Sequence, residues 1–398
     1  MNNPLIPQFP IFIPRPLDSD IAGLGIQYPA ILMDSHIVAW RPSVAKNMQA
    51  TSKLFIVDPV THFMLYKGAR EGKSFKRLPY PKKFEVEKLY SDPVFRTQKL
   101  VKPCIDNQLK QGAGIVITPY LFAEDADDTK FGLNISMIAE SIRYMRDNEI
   151  NKPLFAMIHI GNSVLTRPTV INYIVDRYSE GQGFESNIRG YFIVINELDC
   201  RKIDKESLLG LANLVFKFSR NKYIFVKYMG AFGEILSAIG AYGFISGLGV
   251  GETSSVKNLQ RLPKGFGRTS DWIYVPELFD YVKDDEVRRI GYKCSCKACN
   301  GSIARDSSSK KRHFLYRRME TMVALSKLNR AERIEFMKGR LESSIKLANN
   351  YINKYSSPFK RSHLKNWRDV LVSAKSWRHE EKDDGLDKLL ADLDSKTK

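Results

Sequence analysis

Pro153-Leu154-Phe155-Ala156-Met157-Ile158-His159-Ile160-Gly161 is followed, after a helix-like interval, by Gly190-Tyr191-Phe192-Ile193-Val194-Ile195-Asn196-Glu197-Leu198. Both runs are apolar at nearly every position, so they do not alternate as a half-exposed strand would. Short continuous runs of this kind, spaced by helical patterns, read as parallel strands covered on both faces. Outward from this pair, similar runs lie at 30–40, 53–65, 114–121, 222–230, 242–251 and 272–278, which makes eight. The intervals at 133–146 and 205–219 carry helical spacing. Eight β/α units over roughly 250 residues predict an α/β fold of the (β/α)8 TIM-barrel type. A doubly wound open sheet is the alternative.

The expected organisation is an N-terminal extension over 1–28, a barrel over 29–290, a zinc-binding subdomain over 291–325 and a basic helical region over 326–398. The zinc expectation comes from Cys294, Cys296 and Cys299, three of the chain's 5 cysteines. Thiolates this close need a cation, and tetrahedral zinc with a fourth His or Cys ligand is the common answer. His313 is the nearest histidine that follows. It sits in Lys310-Lys311-Arg312-His313-Phe314, read as the first turn of a helix against the cysteine loop. Cys104 and Cys200 read as buried thiols.

The chain has 398 residues and a net charge of +18, from 62 basic and 44 acidic side chains. A polyanionic partner is expected, nucleic acid first. The basic residues cluster around Lys73, Lys76 and Arg77 with Phe75 and Tyr80, around Lys310, Lys311, Arg312, Arg317 and Arg318, and around Lys360, Arg361, Lys365 and Arg368 with Trp367. The first two clusters supply the expected nucleic-acid contacts Lys76, Arg77, Lys310, Lys311, Arg312 and Arg317. No apolar run reaches the length of about 18 residues that a membrane span needs. Few cysteines and no signal-peptide pattern predict a cytoplasmic protein without a membrane partner.

In a barrel, chemistry gathers where strands end. Asp34, Asp58, His159 and Asn196 fall there, and Glu252 follows the seventh run. A single acid at such a place usually caps the next helix; several converging on one mouth point to a site.

Several phrases resemble the tRNA-guanine transglycosylase family, over about 29–325. Ile31-Leu32-Met33-Asp34-Ser35-His36-Ile37-Val38-Ala39-Trp40-Arg41-Pro42 is similar to the family's Ile-Leu-x-Asn-Thr-Tyr-His-Leu-x-x-Arg-Pro. Phe55-Ile56-Val57-Asp58 stands where the family has Leu-Thr-Asp-Ser-Gly-Gly, with its catalytic aspartate. Leu154 to His159 resembles Leu-Phe-Gly-Ile-Val-Gln, whose glutamine reads the base. Gly190-Tyr191-Phe192-Ile193 and Lys222-Tyr223-Ile224-Phe225 with Met229-Gly230 resemble further strand phrases. Gly247-Leu248-Gly249-Val250-Gly251-Glu252 looks like Gly-Leu-Ala-Val-Gly-Glu, although the strand count places it on the seventh strand rather than the fifth.

The chain departs from the family elsewhere. No carboxylate stands in Tyr242-Gly243-Phe244-Ile245-Ser246, where the nucleophilic aspartate would be. The run Ile115-Val116-Ile117-Thr118 lacks the base-reading aspartate, and the glycine pair after Asp58 is missing.

The resemblance with these departures implies a DNA-modifying branch. The expected activity is a DNA-guanine transglycosylase that exchanges guanine for a free 7-deazaguanine such as 7-cyano-7-deazaguanine. A tRNA-guanine transglycosylase and a non-catalytic nucleic-acid-binding subunit are the alternatives. Accessory proteins that open a duplex are a further candidate partner. The implied catalytic residues are Asp58, Glu252 and Asp34. His159, Asn196 and Gly247 are implied for the base, and Cys294, Cys296, Cys299 and His313 for a structural zinc.

Overall fold

The structure, a computed structural model, describes residues 11–16, 21–80, 86–179, 184, 186–248, 253–260, 272–302, 306–355 and 361–378. Ten strands are described: β1 (Ile11–Pro14), β2 (Tyr28–Asp34), β3 (Ser52–Asp58), β4 (Val116–Ile117), β5 (Leu154–Gly161), β6 (Ile188–Asn196), β7 (Tyr223–Lys227), β8 (Gly243–Ser246), β9 (Trp272–Val275) and β10 (Asp280–Lys283). Six form one curled parallel sheet in the order β1-β8-β7-β6-β5-β4. β2 and β3 form a parallel pair, and β9 with β10 an antiparallel one. The Gly114 N–H donates to the Phe55 carbonyl at 2.8 Å, which ties the middle of β3 to the approach of β4.

Two apolar layers follow from the period-two alternation of strands. Ile13, Leu32, Ile56, Ile117, Met157, Val194, Phe225 and Ile245, one from each of β1 to β8, share a single buried cluster. Their neighbours Phe12, Ile31, Val57, Val116, Ile158, Ile193, Val226 and Phe244 belong to a second cluster, with the helices that follow the strands. Two-sided burial is what the continuous apolar runs required.

The expected eighth strand is absent from this sheet, and a segment of the expected N-terminal extension joins it instead. Ile11–Pro14, within the expected N-terminal extension, pairs in parallel with β8. The 272–278 run, expected as the eighth barrel strand, instead forms the β9–β10 hairpin outside that sheet. Only four residues separate β9 from β10, which permits an antiparallel return but no crossover to a parallel neighbour. β1 escapes notice because it is short and ends in proline. Ile11 and Arg15 donate their N–H groups to Tyr242 and Ser246 of the β8 side. By alternation Pro14 faces away from β8, where its missing N–H costs no bond in that ladder.

The C-terminal helices Arg330–Tyr355 and Ser362–Lys375 pack onto this scaffold. Trp367 is wholly buried, and its indole N–H donates to the Cys200 carbonyl at 2.9 Å. It is a core residue and not part of a basic surface. No helix among the described residues is long and apolar enough to cross a membrane.

Two glycines test the packing of the helical layer. A Cβ on Gly210, in the Lys205–Phe218 helix, would stand 1.8 Å from the Leu165 carbonyl oxygen, whereas one on Gly132, in the Thr129–Asp147 helix, meets nothing within 4 Å. Gly132→Ala should stabilise the protein by about 0.5–1 kcal/mol. Gly210→Ala should destabilise it by roughly 1–3 kcal/mol through overpacking. Denaturant unfolding of the two variants reads both signs.

Candidate active site and metal centre

β2 and β3 lie in register with Asp34 opposite Asp58, so the two carboxylates leave adjacent strands at the same level. Asp58 is fully buried and Asp34 nearly so. Asp34 occupies the N-cap of the Ser35–Trp40 helix, yet its side chain makes no capping bond. It pairs instead with Arg15 at 2.8 Å and with Lys227 at 3.5 Å. The helix-cap reading of Asp34 therefore fails.

Asp58 accepts from three donors. Its Oδ1 takes the Tyr120 hydroxyl at 2.8 Å and the Val60 N–H at 2.9 Å, and its Oδ2 takes the Lys227 ammonium at 2.5 Å. The Val60 bond closes a turn in which a β-branched residue holds φ at 48°, a costly conformation. Lys227 ends β7 and is 2% exposed. The ring of Tyr228, itself at a φ of 66°, lies 4.9 Å from both the Lys227 ammonium and the Arg15 guanidinium. Two cations and two carboxylates thus sit together, as buried charges must.

Burial favours the neutral form of Asp34, but Lys227, Arg15 and His36 override it and hold the carboxyl well below the usual range. Burial likewise opposes the Lys227 charge, and Asp58, Tyr228 and Asp34 override it, so the ammonium is held above the usual lysine range. Next to this group lie His62 and His159, with ring centroids 4.8 Å apart, and Tyr120 stacks on His62 at 5.0 Å. Neither ring nitrogen of His159, nor His62 Nδ1, nor Thr118 Oγ1 has a hydrogen-bond partner among the described residues. Burial, aided by Lys227, pushes His62 down to about 3, and burial with His62 pushes His159 well down. Both imidazoles are neutral at neutral pH.

Asp34 and Asp58 share Lys227, and His159 lies beside that group. Asn196 ends β6, and its Oδ1 accepts the Val256 N–H at 2.9 Å, which fastens the Val256–Gln260 turn that follows β8 to the end of β6. Gly247 follows β8, and its carbonyl accepts from the Ser246 hydroxyl at 3.1 Å. Glu252 lies outside the described residues, as does Lys360. Arg15, Lys227, Tyr120 and His62 are functional candidates that the sequence reading missed. A lysine closing an otherwise apolar strand was the available signal for Lys227.

Among the basic candidates, Lys76 and Arg77 are exposed, while Phe75 and Tyr80 beside them are buried and present no stacking surface. Lys310, Lys311 and Arg312 are half-buried on the Ser307–Ser326 helix. Arg317 is held by Glu277 at 2.6 Å and Glu320 at 2.9 Å. Arg318 is 1% exposed and pairs with Glu234 at 2.6 Å. Arg317 and Arg318 thus fasten the fold rather than present a free phosphate-binding face.

The second cluster is Cys294, Cys296, Cys299 and His313, all buried. The loop turns on itself through bonds from Cys299 and Asn300 N–H to the Cys296 carbonyl and from Gly301 N–H to Cys294. Left-handed Asn300 and Gly301 end the turn. His313 Nδ1 lies 3.5, 3.4 and 3.3 Å from the three sulfurs, and the four donor atoms fit within 4.8 Å of one another. Tetrahedral zinc, with metal–ligand bonds of about 2.3 Å to sulfur and 2.0 Å to nitrogen, places such atoms about 3.5 Å apart. His313 Nε2 reaches the Tyr274 carbonyl at 2.7 Å, which fixes the ring with Nδ1 facing the sulfurs. A hydrogen bond from Cys299 pushes the Cys294 thiol down to about 3 against the effect of burial, while Cys296 and Cys299 are pushed up. The four residues could hold a metal ion such as zinc, whose charge would let all three sulfurs ionise.

No protein-family profile matches the chain, and no curated protein matches it.

If the cluster holds a metal, purified protein should carry about one zinc per chain by elemental analysis. A strong chelator, or Cys296→Ser, should lower the melting temperature by several degrees, because metal binding adds directly to folding stability.

Proposed function

We propose that this chain is a guanine-exchange transglycosylase acting on nucleic acid, DNA in preference to tRNA, with a free 7-deazaguanine as second substrate. One observation carries the reading: Asp34 and Asp58 leave adjacent strand ends as a buried pair on a single ammonium. Glycosyl transfer uses two carboxylates set close together in unlike surroundings. The family resemblance had pointed to Asp58, with Glu252 and Asp34 as the candidates for its partner; in this reading Asp34 is the neighbouring carboxylate that the pairing on Lys227 supports.

In this reading β1 to β8 close as a (β/α)8 barrel, with the two missing ladders, β1 to β2 and β3 to β4, bridged by side-chain packing and, at the second, by the Gly114–Phe55 bond. Support comes from the pairing of β1 with β8 and from the inward residues shared by all eight strands. The mouth then holds the carboxylates. The Cys3His cluster is a structural zinc site that braces the Ser307–Ser326 helix against β9, with every ligand position filled by protein.

Asp58 attacks C1′ of the target nucleoside. The bond from C1′ to guanine N9 breaks, and its electron pair leaves with the base, which takes up a proton. The incoming 7-deazaguanine then attacks C1′ through N9, gives up its proton and releases Asp58. Asp34 is held ionised and is not the proton carrier at neutral pH. Glu252 is the remaining candidate for that proton. A duplex target must be flipped out to reach a buried carboxylate, and the net charge of +18 suits holding the backbone.

A second reading, the non-catalytic nucleic-acid-binding subunit, is favoured by one fact: Asp58 has no exposure and its oxygens are already engaged. Incorporation of radiolabelled guanine into duplex DNA, single-stranded DNA and tRNA separates the readings. Exchange into DNA is expected, and Asp58→Asn should reduce it by about 100-fold or more while zinc content and fold persist. Nucleic-acid binding without exchange into any substrate would replace the enzyme by the binding subunit.

A further inference from the structure

We propose that Lys227 is the positioning residue of this site, clamping Asp34 and Asp58 side by side through its ammonium. The inference rests on the transglycosylase reading for its kinetic consequences, but its geometry stands independently. Each carboxylate has one oxygen fixed elsewhere: Asp34 Oδ2 on Arg15, and Asp58 Oδ1 on Tyr120 and Val60. The remaining oxygens, Asp34 Oδ1 and Asp58 Oδ2, both meet Lys227 Nζ, at 3.5 and 2.5 Å. Asp34 Oδ1 has no hydrogen-bond donor among the described residues, so the Lys227 charge, met as an ion pair, is what compensates it. Without the ammonium, two buried carboxylate oxygens would face each other with no cation between them. Such pairs share a proton rather than both ionise.

The groups facing Lys227 are Asp34 and His36 from the β2 end, Asp58 and His62 from the β3 end, His159 from β5, Arg15 beyond β1, and Tyr228 beside it. The two carboxylates outweigh the rest, and the ammonium keeps its proton. It is therefore unsuited to protonate a leaving base, since an effective general acid needs a pKa near the working pH. What it supplies is fixed charge and fixed geometry, held before the substrate arrives.

The test uses the full chain, with Lys227→Met and Lys227→Arg checked first for zinc content and cooperative unfolding. Lys227→Met should lower kcat about 100-fold with KM for the free base within about threefold, the split expected when transition-state geometry is lost. Its acid limb in the kcat/KM profile should move up by about one pH unit or more, and Lys227→Arg should restore that limb. Infrared spectra at neutral pH should show the carbonyl band of a protonated carboxylic acid in Lys227→Met and none in the wild type. Unchanged kcat and acid limb, with no such band, would overturn the proposal.

If the wild type exchanges no base, the transglycosylase reading fails, while the infrared comparison still decides the clamp. If Lys227→Met does not fold, lysine-labelled wild-type protein decides by NMR. The buried Nζ should stay protonated through the range where surface lysines titrate, and a neutral amine there would overturn the clamp.

Discussion

The ammonium of Lys227 between Asp58 and Asp34 is the contact on which the arrangement at the strand ends depends. Burying charge costs several kcal/mol per ion, and mutual attraction offsets that only with good geometry and satisfied remaining valences. Here Arg15, Tyr120 and the Val60 amide supply the additional bonds. Removing one partner of such a set leaves an uncompensated buried charge, a loss of about 3–5 kcal/mol in measured cases. An apolar filling of the same volume would serve the fold as well or better. Stability alone therefore does not account for four charges gathered at this place, which supports the catalytic reading proposed for them.

The strands were legible in the sequence because parallel sheets covered on both faces write themselves as unbroken apolar runs. Seven of the eight expected runs contribute to the parallel strands, and the failures are local. Pro14 disguised β1, and Trp272 to Val275 is as apolar as a barrel strand although it returns antiparallel through β10. The metal cluster was legible because its ligands are close in sequence, with His313 a short step beyond.

The charged network was not legible, because pairing is a property of space. Arg317 and Arg318 read as part of a basic patch until Glu277 and Glu234, far away along the chain, were seen against them. Lys227 passed unnoticed within the 222–230 run for the same reason: nothing near it in sequence announces two carboxylates. Charge counting measures a surface only when the buried pairs have been subtracted.

The Ser307–Ser326 helix carries His313 toward the three sulfurs and Arg318 toward Glu234. Five residues of helix separate them, about 7.5 Å along one rigid rod. Glu234 lies on the Phe232–Ile239 helix, which directly follows the strand ending in Lys227. The hairpin joins the same two points: the Tyr274 carbonyl meets His313 Nε2 at 2.7 Å, and the Tyr274 hydroxyl donates to Glu234 at 3.4 Å. The cysteine loop, β9 and the Phe232–Ile239 helix therefore meet on one helix, so a change that unseats His313 also disturbs the setting of the buried Arg318–Glu234 pair.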